Sequence, residues 1–166
     1  MRVLYLSDFW TFIMCVIVWF VLQVGATLLC LYLPDHFFSP KLFLFRTHEF
    51  EQEGRIYEKY FFVKKWKHLL PDGGKAFKDR GFSKKHISGF TKENLYQFLV
   101  ESCRGEMTHW LPILFFWVFW LFTPWYVPFI MLIYALITNL PCIIVQRYNR
   151  PRINKILNRK NKKISA

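Results

Sequence analysis

Two long uncharged stretches dominate this chain of 166 residues. Residues 9–33 are 25 consecutive positions, and residues 110–145 are 36, without a single Asp, Glu, Lys or Arg. An uncharged apolar run of about 18 or more residues is typical of a transmembrane helix. The chain as a whole nevertheless carries a formal net charge of +12. The sequence therefore predicts a membrane protein whose apolar and cationic parts are separated along the chain.

The first run has two interpretations, a retained membrane anchor or a signal-like N-terminus. The positive region before it is reduced to Arg2, and Asp8 offsets that charge. The run is also longer than the apolar region of a usual signal peptide. Length therefore favours an anchor that spans the bilayer over a cleaved signal.

The second run is too long for one crossing and contains its own turn signal. Residues 123–128 hold two prolines that flank Trp125 and Tyr126, aromatic residues typical of a membrane interface. This pattern predicts a hairpin with a short helix near 110–122 and a longer one near 126–145. The first leg is short for a full crossing, so it is either extended by the preceding helix or re-entrant.

The charge distribution predicts the orientation. Residues 34–109 hold 14 basic and 10 acidic residues, and the tail 146–166 holds eight basic and no acidic ones. The positive-inside rule places both segments in the cytoplasm, and a hairpin also requires its two ends to emerge on one face. Anionic lipid headgroups are a simpler partner for this charge than nucleic acid, because the apolar runs require a membrane.

The predicted fold is thus an all-α integral membrane protein, multi-pass in the cell membrane, with one domain over residues 1–166. It has an N-terminal transmembrane helix, a cytoplasmic amphipathic and basic segment, and a C-terminal transmembrane helical hairpin. Within the segment, residues 56–66 mix aromatics with lysines, as in a helix that lies on an anionic membrane surface. Thr91 is a suitable N-cap for a further helix that starts near Lys92.

The first candidate site lies where that helix enters the second apolar run. On a helix, Glu101, Gly105 and His109 share one stripe, and Glu106 stands one turn before His109. A carboxylate beside an imidazole fixes its tautomer and raises its basicity, which suits a general base. The catalytic candidates are therefore His109, Glu106 and Glu101. The alternative is an amphipathic helix with ordinary ion pairs along one face.

The second candidate site is the run Gln-Arg-Tyr-Asn-Arg-Pro-Arg at residues 146–152. Pro151 disfavours helical geometry at the preceding residue, so the membrane helix is predicted to end at Arg150. Arg147 and Arg150 then share a face of the last turn, with Arg152 just beyond. Three guanidiniums in this arrangement suit a phosphate or carboxylate clamp, and the alternative is a basic flank of a membrane helix.

A third candidate is the HxxxDG spacing of His68 and Asp72, which looks like a motif of some acyl-transferring enzymes. In that reading His68 is the base, and otherwise the segment is a turn after a surface helix. The chain contains no Walker A loop, no GxGxxG and no GxSxG elbow, and no cysteine pair predicts a metal site.

Four of these strings, taken in order and at their distances, resemble the glycosyl-4,4'-diaponeurosporenoate acyltransferases of staphyloxanthin biosynthesis. They are residues 63–68, 72–73, 104–110 and 146–152, and the resemblance covers about residues 34 to 155. It implies an acyltransferase that esterifies a fatty acyl group onto the glucose 6-hydroxyl of a glycosylated C30 carotenoid acid. The N-terminal helix matches only in character.

On that resemblance we expect an acyl thioester of coenzyme A or acyl carrier protein as donor and a glycosyl carotenoid as acceptor, with no bound cofactor. The arginines would hold the donor's phosphate or orient the oxyanion. The alternatives are a non-catalytic membrane scaffold of the pathway, or the same acyl transfer to another glycolipid. The candidate substrate-binding residues are Trp66, Lys67, Arg104, Gln146, Arg147, Asn149, Arg150 and Arg152.

Overall fold

The computed structural model describes residue 4, residues 6–70 and residues 91–164, and within these ranges it contains helices and turns but no β-strand. The α-helices are α1 Asp8–Tyr32, α2 Arg55–Phe61, α3 Val63–Trp66, α4 Lys92–Leu114 and α5 Val127–Ile164. Short 3-10 helices cover Asp35–Phe38, Glu49–Gly54, Lys67–Leu69 and Phe115–Leu121. The predicted all-α fold is confirmed for the described residues.

Two helices are long and apolar enough to cross a membrane. They are α1, with 25 residues, and the Val127–Lys160 part of α5, with 34. The helix predicted over residues 9–33 is therefore confirmed as α1. Its long uncharged sequence has few alternatives to a helix, because only a helix satisfies all of its backbone groups locally in an apolar environment.

The chain divides into two compact units. The first comprises Met1–Tyr32 and Met107–Ile143, and the second comprises Leu33–Glu106 and Ile144–Ala166. In the first, a buried core of Ile113, Ala135 and Ile143 is flanked by partly buried Trp and Leu side chains. These flanking residues are Trp19, Trp110, Leu132, Leu136 and Leu140. In the second unit, one core cluster forms around Tyr57, Val63 and Tyr148.

The start of α4 confirms the predicted cap. The backbone N–H of Asn94 donates to the Thr91 hydroxyl oxygen at 3.2 Å, so Thr91 satisfies an amide that the helix itself leaves without a partner. The predicted turn after Phe122 is also present. There the Thr123 hydroxyl donates to the Phe119 carbonyl at 2.6 Å, and α5 begins at Val127.

The first leg of the predicted hairpin is not a separate helix. Helix α4 runs through Pro112 to Leu114 and is followed by the 3-10 helix Phe115–Leu121. Of the two alternatives for this short leg, extension by the preceding helix is the one that the structure contains. A proline near the end of a helix removes only one backbone bond, so it did not separate residues 110–122 from α4.

The prediction that the last helix ends at Arg150 is wrong. Helix α5 continues through Pro151 to Ile164. The proline lacks the N–H that would bind the Arg147 carbonyl, but its ring is buried and lies against Gly54. One residue later, Arg152 Nη1 donates to the Tyr148 carbonyl at 2.7 Å. Tertiary packing and this side-chain bond therefore offset the local preference of proline.

The contact at Gly54 depends on the absence of a side chain. Gly54 has φ +86°, in the left-handed region, and follows Gln52 and Glu53, which also have positive φ. A Cβ at Gly54 would lie 3.1 Å from the Tyr148 carbonyl oxygen and 3.3 Å from the Pro151 ring. The left-handed turn therefore brings the backbone of this segment directly onto α5.

We expect Gly54→Ala to destabilise the protein by about 1–3 kcal/mol, because it adds backbone strain and a close contact at one position. The measurement is the thermal unfolding midpoint in an uncharged detergent. Gly25→Ala is the matched control, since nothing lies within 4 Å of a Cβ at this helical position. Alanine is the better helix former by roughly 0.5–1 kcal/mol, so an equal loss in both variants would contradict the packing argument.

Candidate functional site

The carboxylate of Glu106 is the centre of a polar cluster inside the second unit. Its side chain is 0% exposed. Arg147 Nε donates to Oε1 at 2.7 Å, and Arg150 Nη2 donates to Oε2 at 2.6 Å. Each carboxylate oxygen therefore accepts a charge-assisted hydrogen bond from a different arginine. Both arginines lie on α5, one helical turn apart.

The same two arginines also bind a segment that precedes α2. Arg147 Nη1 donates to Glu51 Oε1 at 2.5 Å, and Arg147 Nη2 donates to the Leu44 carbonyl at 2.7 Å. Arg150 Nη1 donates to the Phe45 carbonyl at 2.6 Å. We call Glu51, Glu106, Arg147 and Arg150 the buried arginine cluster. It joins the 44–51 segment, α4 and α5 within one unit.

These bonds bear on the predicted ligand clamp. The guanidiniums of Arg147 and Arg150 donate to the protein's own carboxylates and carbonyls, and Arg150 also reaches the Ser102 carbonyl at 3.2 Å. An incoming phosphate would have to displace these acceptors. Binding of a ligand by Arg147 and Arg150 stays a prediction, and the contacts give both residues a structural role.

The next candidate pair on α4 is also an internal ion pair. Arg104 Nη1 donates to Glu101 Oε1 at 2.5 Å, and Arg104 also binds Asp35. Its guanidinium carbon lies 5.0 Å from the centre of the Phe38 ring. Sequence spacing places Glu101 and Arg104 away from the apolar side of the helix, but both are buried in the structure, because each neutralises the other.

Trp66, Lys67 and Arg152 lie around Tyr148, which is 1% exposed. Trp66 packs against the Tyr57–Val63–Tyr148 core and donates from Nε1 to the Phe61 carbonyl at 2.7 Å. Lys67 Nζ lies 5.1 Å from the centre of the Tyr148 ring, and Arg152 Cζ lies 3.4 Å from it. The structure thus brings together three of the predicted substrate-binding residues.

Tyr57 links this core to the buried arginine cluster. The pKa of Tyr57 is raised to about 12, first because burial disfavours the phenolate and second because the Glu51 carboxylate lies nearby. Its hydroxyl therefore stays protonated at any physiological pH. A second negative charge would be unfavourable beside Glu51, so the neutral hydroxyl is compatible with the charge balance of the cluster.

The remaining predicted residues have less defined roles. The Gln146 backbone carbonyl accepts from the Ser102 hydroxyl at 3.4 Å, and Asn149 is partly buried. His68 is exposed in the 3-10 helix Lys67–Leu69. Asp72, its predicted partner, lies outside the described residues, as does the Asp-Gly turn that contains it.

His109 belongs to a second polar group, in the first unit. Its Nδ1 lies 2.9 Å from the side-chain oxygen of Asn139, which is 1% exposed. The Asn139 amide nitrogen donates to the Ala135 carbonyl at 3.0 Å, so the amide oxygen faces the imidazole. Gln23 Nε2 donates to the same oxygen at 3.2 Å. We call Gln23, His109 and Asn139 the histidine–amide network.

This geometry defines the tautomer of the imidazole. An amide oxygen can only accept a hydrogen bond, so His109 Nδ1 must carry the proton that it donates to Asn139. A neutral ring then has its lone pair on Nε2. The described contacts give Nδ1 an amide partner, while both oxygens of Glu106 bind arginines. The predicted orienting role of Glu106 toward His109 stays untested.

Two polar residues of this network were missed by motif reasoning, although the sequence contained a signal. Gln23 is the only amide side chain in the run 9–33, and Asn139 is the only one in the run 110–145. An isolated amide in a long apolar helix must find a partner, since an unsatisfied polar group is costly there. Glu51 was also missed, but nothing distinguishes it from the other acids of the polar segment.

Comparisons with known proteins agree on one description. The sequence profile of a family described as glycosyl-4,4'-diaponeurosporenoate acyltransferase matches residues 40–159. A protein of that name from Staphylococcus aureus strain MRSA252 is 35% identical over 143 residues, which are 86% of each chain. One from strain USA300 is 34% identical over the same share. No solved structure matches.

The protein is therefore an acyltransferase, which confirms the enzyme class predicted from the sequence. The chain belongs to the glycosyl-4,4'-diaponeurosporenoate acyltransferase family. The profile match includes the buried arginine cluster, His109 and the residues around Tyr148. These comparisons support an acyltransferase of carotenoid biosynthesis and are inconsistent with a purely non-catalytic scaffold.

We expect Glu106→Gln to destabilise the protein by about 3–5 kcal/mol, because it leaves two buried guanidiniums with one carboxylate fewer. The measurement is the free energy of unfolding in denaturant, in an uncharged detergent. Glu53→Gln is the matched control, since its exposed carboxylate is 3.4 Å from Lys155 and such pairs contribute about 0–1 kcal/mol. Similar stability of Glu106→Gln and the unchanged protein would contradict a structural role of the cluster.

Proposed function

We propose that this enzyme esterifies a fatty acyl group onto the glucose 6-hydroxyl of a glycosylated C30 carotenoid acid. Membership of the family supports this substrate, because the relatives are named for the glycosyl diaponeurosporenoate that they acylate. An acyl thioester of coenzyme A or acyl carrier protein is the donor. No bound cofactor is needed, since a thioester is already activated toward attack by a hydroxyl.

The observation that carries the proposed mechanism is the bond between His109 Nδ1 and Asn139. It supports a proton on Nδ1, so that the neutral imidazole has its lone pair on Nε2, the nitrogen from which a general base acts. Gln23 supports the arrangement by binding the same amide oxygen. His109 is thus the proposed catalytic base, and Asn139 is its positioning residue.

The reaction then follows from ordinary acyl-transfer chemistry. The sugar hydroxyl oxygen attacks the thioester carbonyl carbon while His109 Nε2 takes the hydroxyl proton. The tetrahedral intermediate collapses, the C–S bond breaks and the new C–O ester bond remains. The imidazolium returns its proton to the leaving thiolate, so the base is regenerated. A positioned base of this kind typically contributes about 10²–10⁴-fold in rate.

We further propose that the enzyme is an integral membrane protein with its polar segment and tail in the cytoplasm. Of the residues of α1, only Ala26 and Cys30 are buried, so the helix exposes large apolar side chains along its length. Such a surface is favourable in lipid and unfavourable in water. A membrane position also suits both substrates, because the carotenoid and the fatty acyl chain remain in the bilayer.

The function is tested by expressing the chain in cells with and without the glycosyl carotenoid and weighing the extracted lipids by mass spectrometry. The expected product is heavier than the glycosyl carotenoid by the mass of one fatty acid less one water. An acyl group added to a different glycolipid would support acyl transfer with another acceptor. No acylated product in either strain, with the protein present in the membrane, would contradict the proposal.

We expect single cysteines at Glu53 and Ser165, in a variant without the four native cysteines, to be labelled from the same side of the membrane. The reason is the net positive charge of the segments that contain them, residues 34–109 and 146–166, which the positive-inside rule places on one side. The measurement is labelling by a membrane-impermeant maleimide in intact cells and in inverted vesicles. Labelling of the two positions from opposite sides would contradict the predicted topology.

We expect His109→Ala to lose roughly 10²–10⁴-fold in kcat, because the hydroxyl proton has no positioned acceptor. The measurement is thiol release from an acyl thioester in the presence of the glycosyl carotenoid. His68→Ala is the matched control and retains activity. Loss of activity in His68→Ala but not in His109→Ala, at equal membrane levels, would assign the base to His68.

We expect Asn139→Leu to lower kcat by about 3- to 10-fold with little change in KM, because one hydrogen bond no longer fixes the imidazole. Gln23→Leu is the matched control, since it removes the other donor to the Asn139 oxygen but leaves the His109 bond. Gln23→Leu should therefore lower kcat by less than Asn139→Leu does. Equal losses in both variants would mean that the network only stabilises the first unit.

A further inference from the structure

The cations of the second unit differ in how they are neutralised. Arg104, Arg147 and Arg150 each form an ion pair with at least one buried or partly buried carboxylate. Lys67 and Arg152 do not. Among the described residues, no carboxylate lies within ion-pair distance of either. Of the five cations Lys67, Arg104, Arg147, Arg150 and Arg152, these two are therefore the ones without a carboxylate as a direct ion-pair partner among the described residues.

Both cations are partly buried against one ring. Lys67 Nζ and Arg152 Cζ lie 5.1 and 3.4 Å from the centre of the Tyr148 ring, and Arg152 Nη1 donates to the Tyr148 carbonyl. Glu58 is near enough to favour a charged Lys67, but it accepts from the Lys64 backbone N–H at 3.2 Å. It also bonds to the Tyr148 hydroxyl, so its position is fixed by these two donors.

Holding two like charges together in this way is unfavourable. The pKa of Lys67 is lowered, first by partial burial and second by the positive charge of Arg152. The Tyr148 ring attracts each cation but cannot cancel their mutual repulsion, because it carries no net charge. An anion with several oxygens would do so. The guanidinium fork and the ammonium would then donate to different oxygens of that anion.

We propose that Lys67 and Arg152 form a phosphate-binding site beside Tyr148. Its physiological ligand, which rests on the proposed function, is the phosphate of the thioester donor, as in coenzyme A. A phospholipid headgroup offers the same chemistry. Sequence spacing predicted a clamp of Arg147, Arg150 and Arg152. The site proposed here keeps Arg152 and replaces the other two by Lys67, because the guanidiniums of Arg147 and Arg150 already donate to the protein's own acceptors.

The test measures binding without turnover, so its outcome is independent of whether His109 is the base. Full-length protein is purified in an uncharged detergent and titrated calorimetrically with coenzyme A. Bound phosphatidylglycerol is measured in parallel by extraction and mass spectrometry. The variants are Lys67→Gln, Arg152→Gln and the charge-preserving Lys67→Arg. Lys155→Gln is the matched control, because it removes one positive charge that already faces Glu53.

We expect the Kd of coenzyme A to rise about 10-fold or more in Lys67→Gln and Arg152→Gln, since each loses a charge-assisted bond. Lys67→Arg and Lys155→Gln should change it less than about 3-fold. Loss of bound phosphatidylglycerol with an unchanged Kd for coenzyme A would support a phosphate site that is filled by lipid. Unchanged binding of both probes in both variants would overturn the proposal.

Stability provides the second measurement. If Lys67 and Arg152 form an anion site that is empty without ligand, Lys67→Gln removes the repulsion between the two cations. The thermal unfolding midpoint without ligand should then stay the same or rise. If Lys67 is only a structural contact of Tyr148, the midpoint should fall. A fall in the midpoint with no change in binding of either probe would assign the pair to folding alone.

Discussion

The buried carboxylate of Glu106 is the interaction on which the second unit depends. An ionised group in an apolar interior is very costly unless it is paired and hydrogen-bonded, and here one carboxylate meets two arginines. The second negative charge comes from Glu51, which binds Arg147. The two negative charges of Glu51 and Glu106 then equal the two positive charges of Arg147 and Arg150 within the buried arginine cluster. These bonds, together with those from the two arginines to the Leu44 and Phe45 carbonyls, hold the 44–51 segment against α5.

The same charge balance distinguishes two kinds of basic residue on α5. The guanidinium fork of Arg147 reaches two carboxylates and a carbonyl from one side chain, which a lysine could not do. Arg152 lies five residues further on, where the described residues offer a carbonyl and an aromatic ring but no carboxylate. Arg147 and Arg152 therefore differ in what a ligand would meet: an anion would have to displace carboxylates from Arg147 but not from Arg152.

This difference marks the limit of what the sequence could predict. The uncharged runs predicted the long helices, and Thr91 predicted the start of α4, because both signals are local. Pro151 misled the prediction of the end of α5, since burial against Gly54 is a tertiary effect. The clustering of the arginines was visible from spacing, but their partners depend on Glu51, which lies almost 100 positions earlier in the chain.

Asn139, which bonds to His109, was not predicted from the sequence for a related reason. Helical spacing favours the nearest carboxylate, Glu106, yet a charged partner for an imidazole stabilises the imidazolium as well as the tautomer. An amide fixes the tautomer without adding a charge to an apolar unit. Asn139 therefore suits the role proposed for His109, a base that takes a proton from a sugar hydroxyl and then releases it to a thiolate. The charge of Glu106, in contrast, neutralises two buried arginines, so this carboxylate has a structural role whether or not it also orients His109.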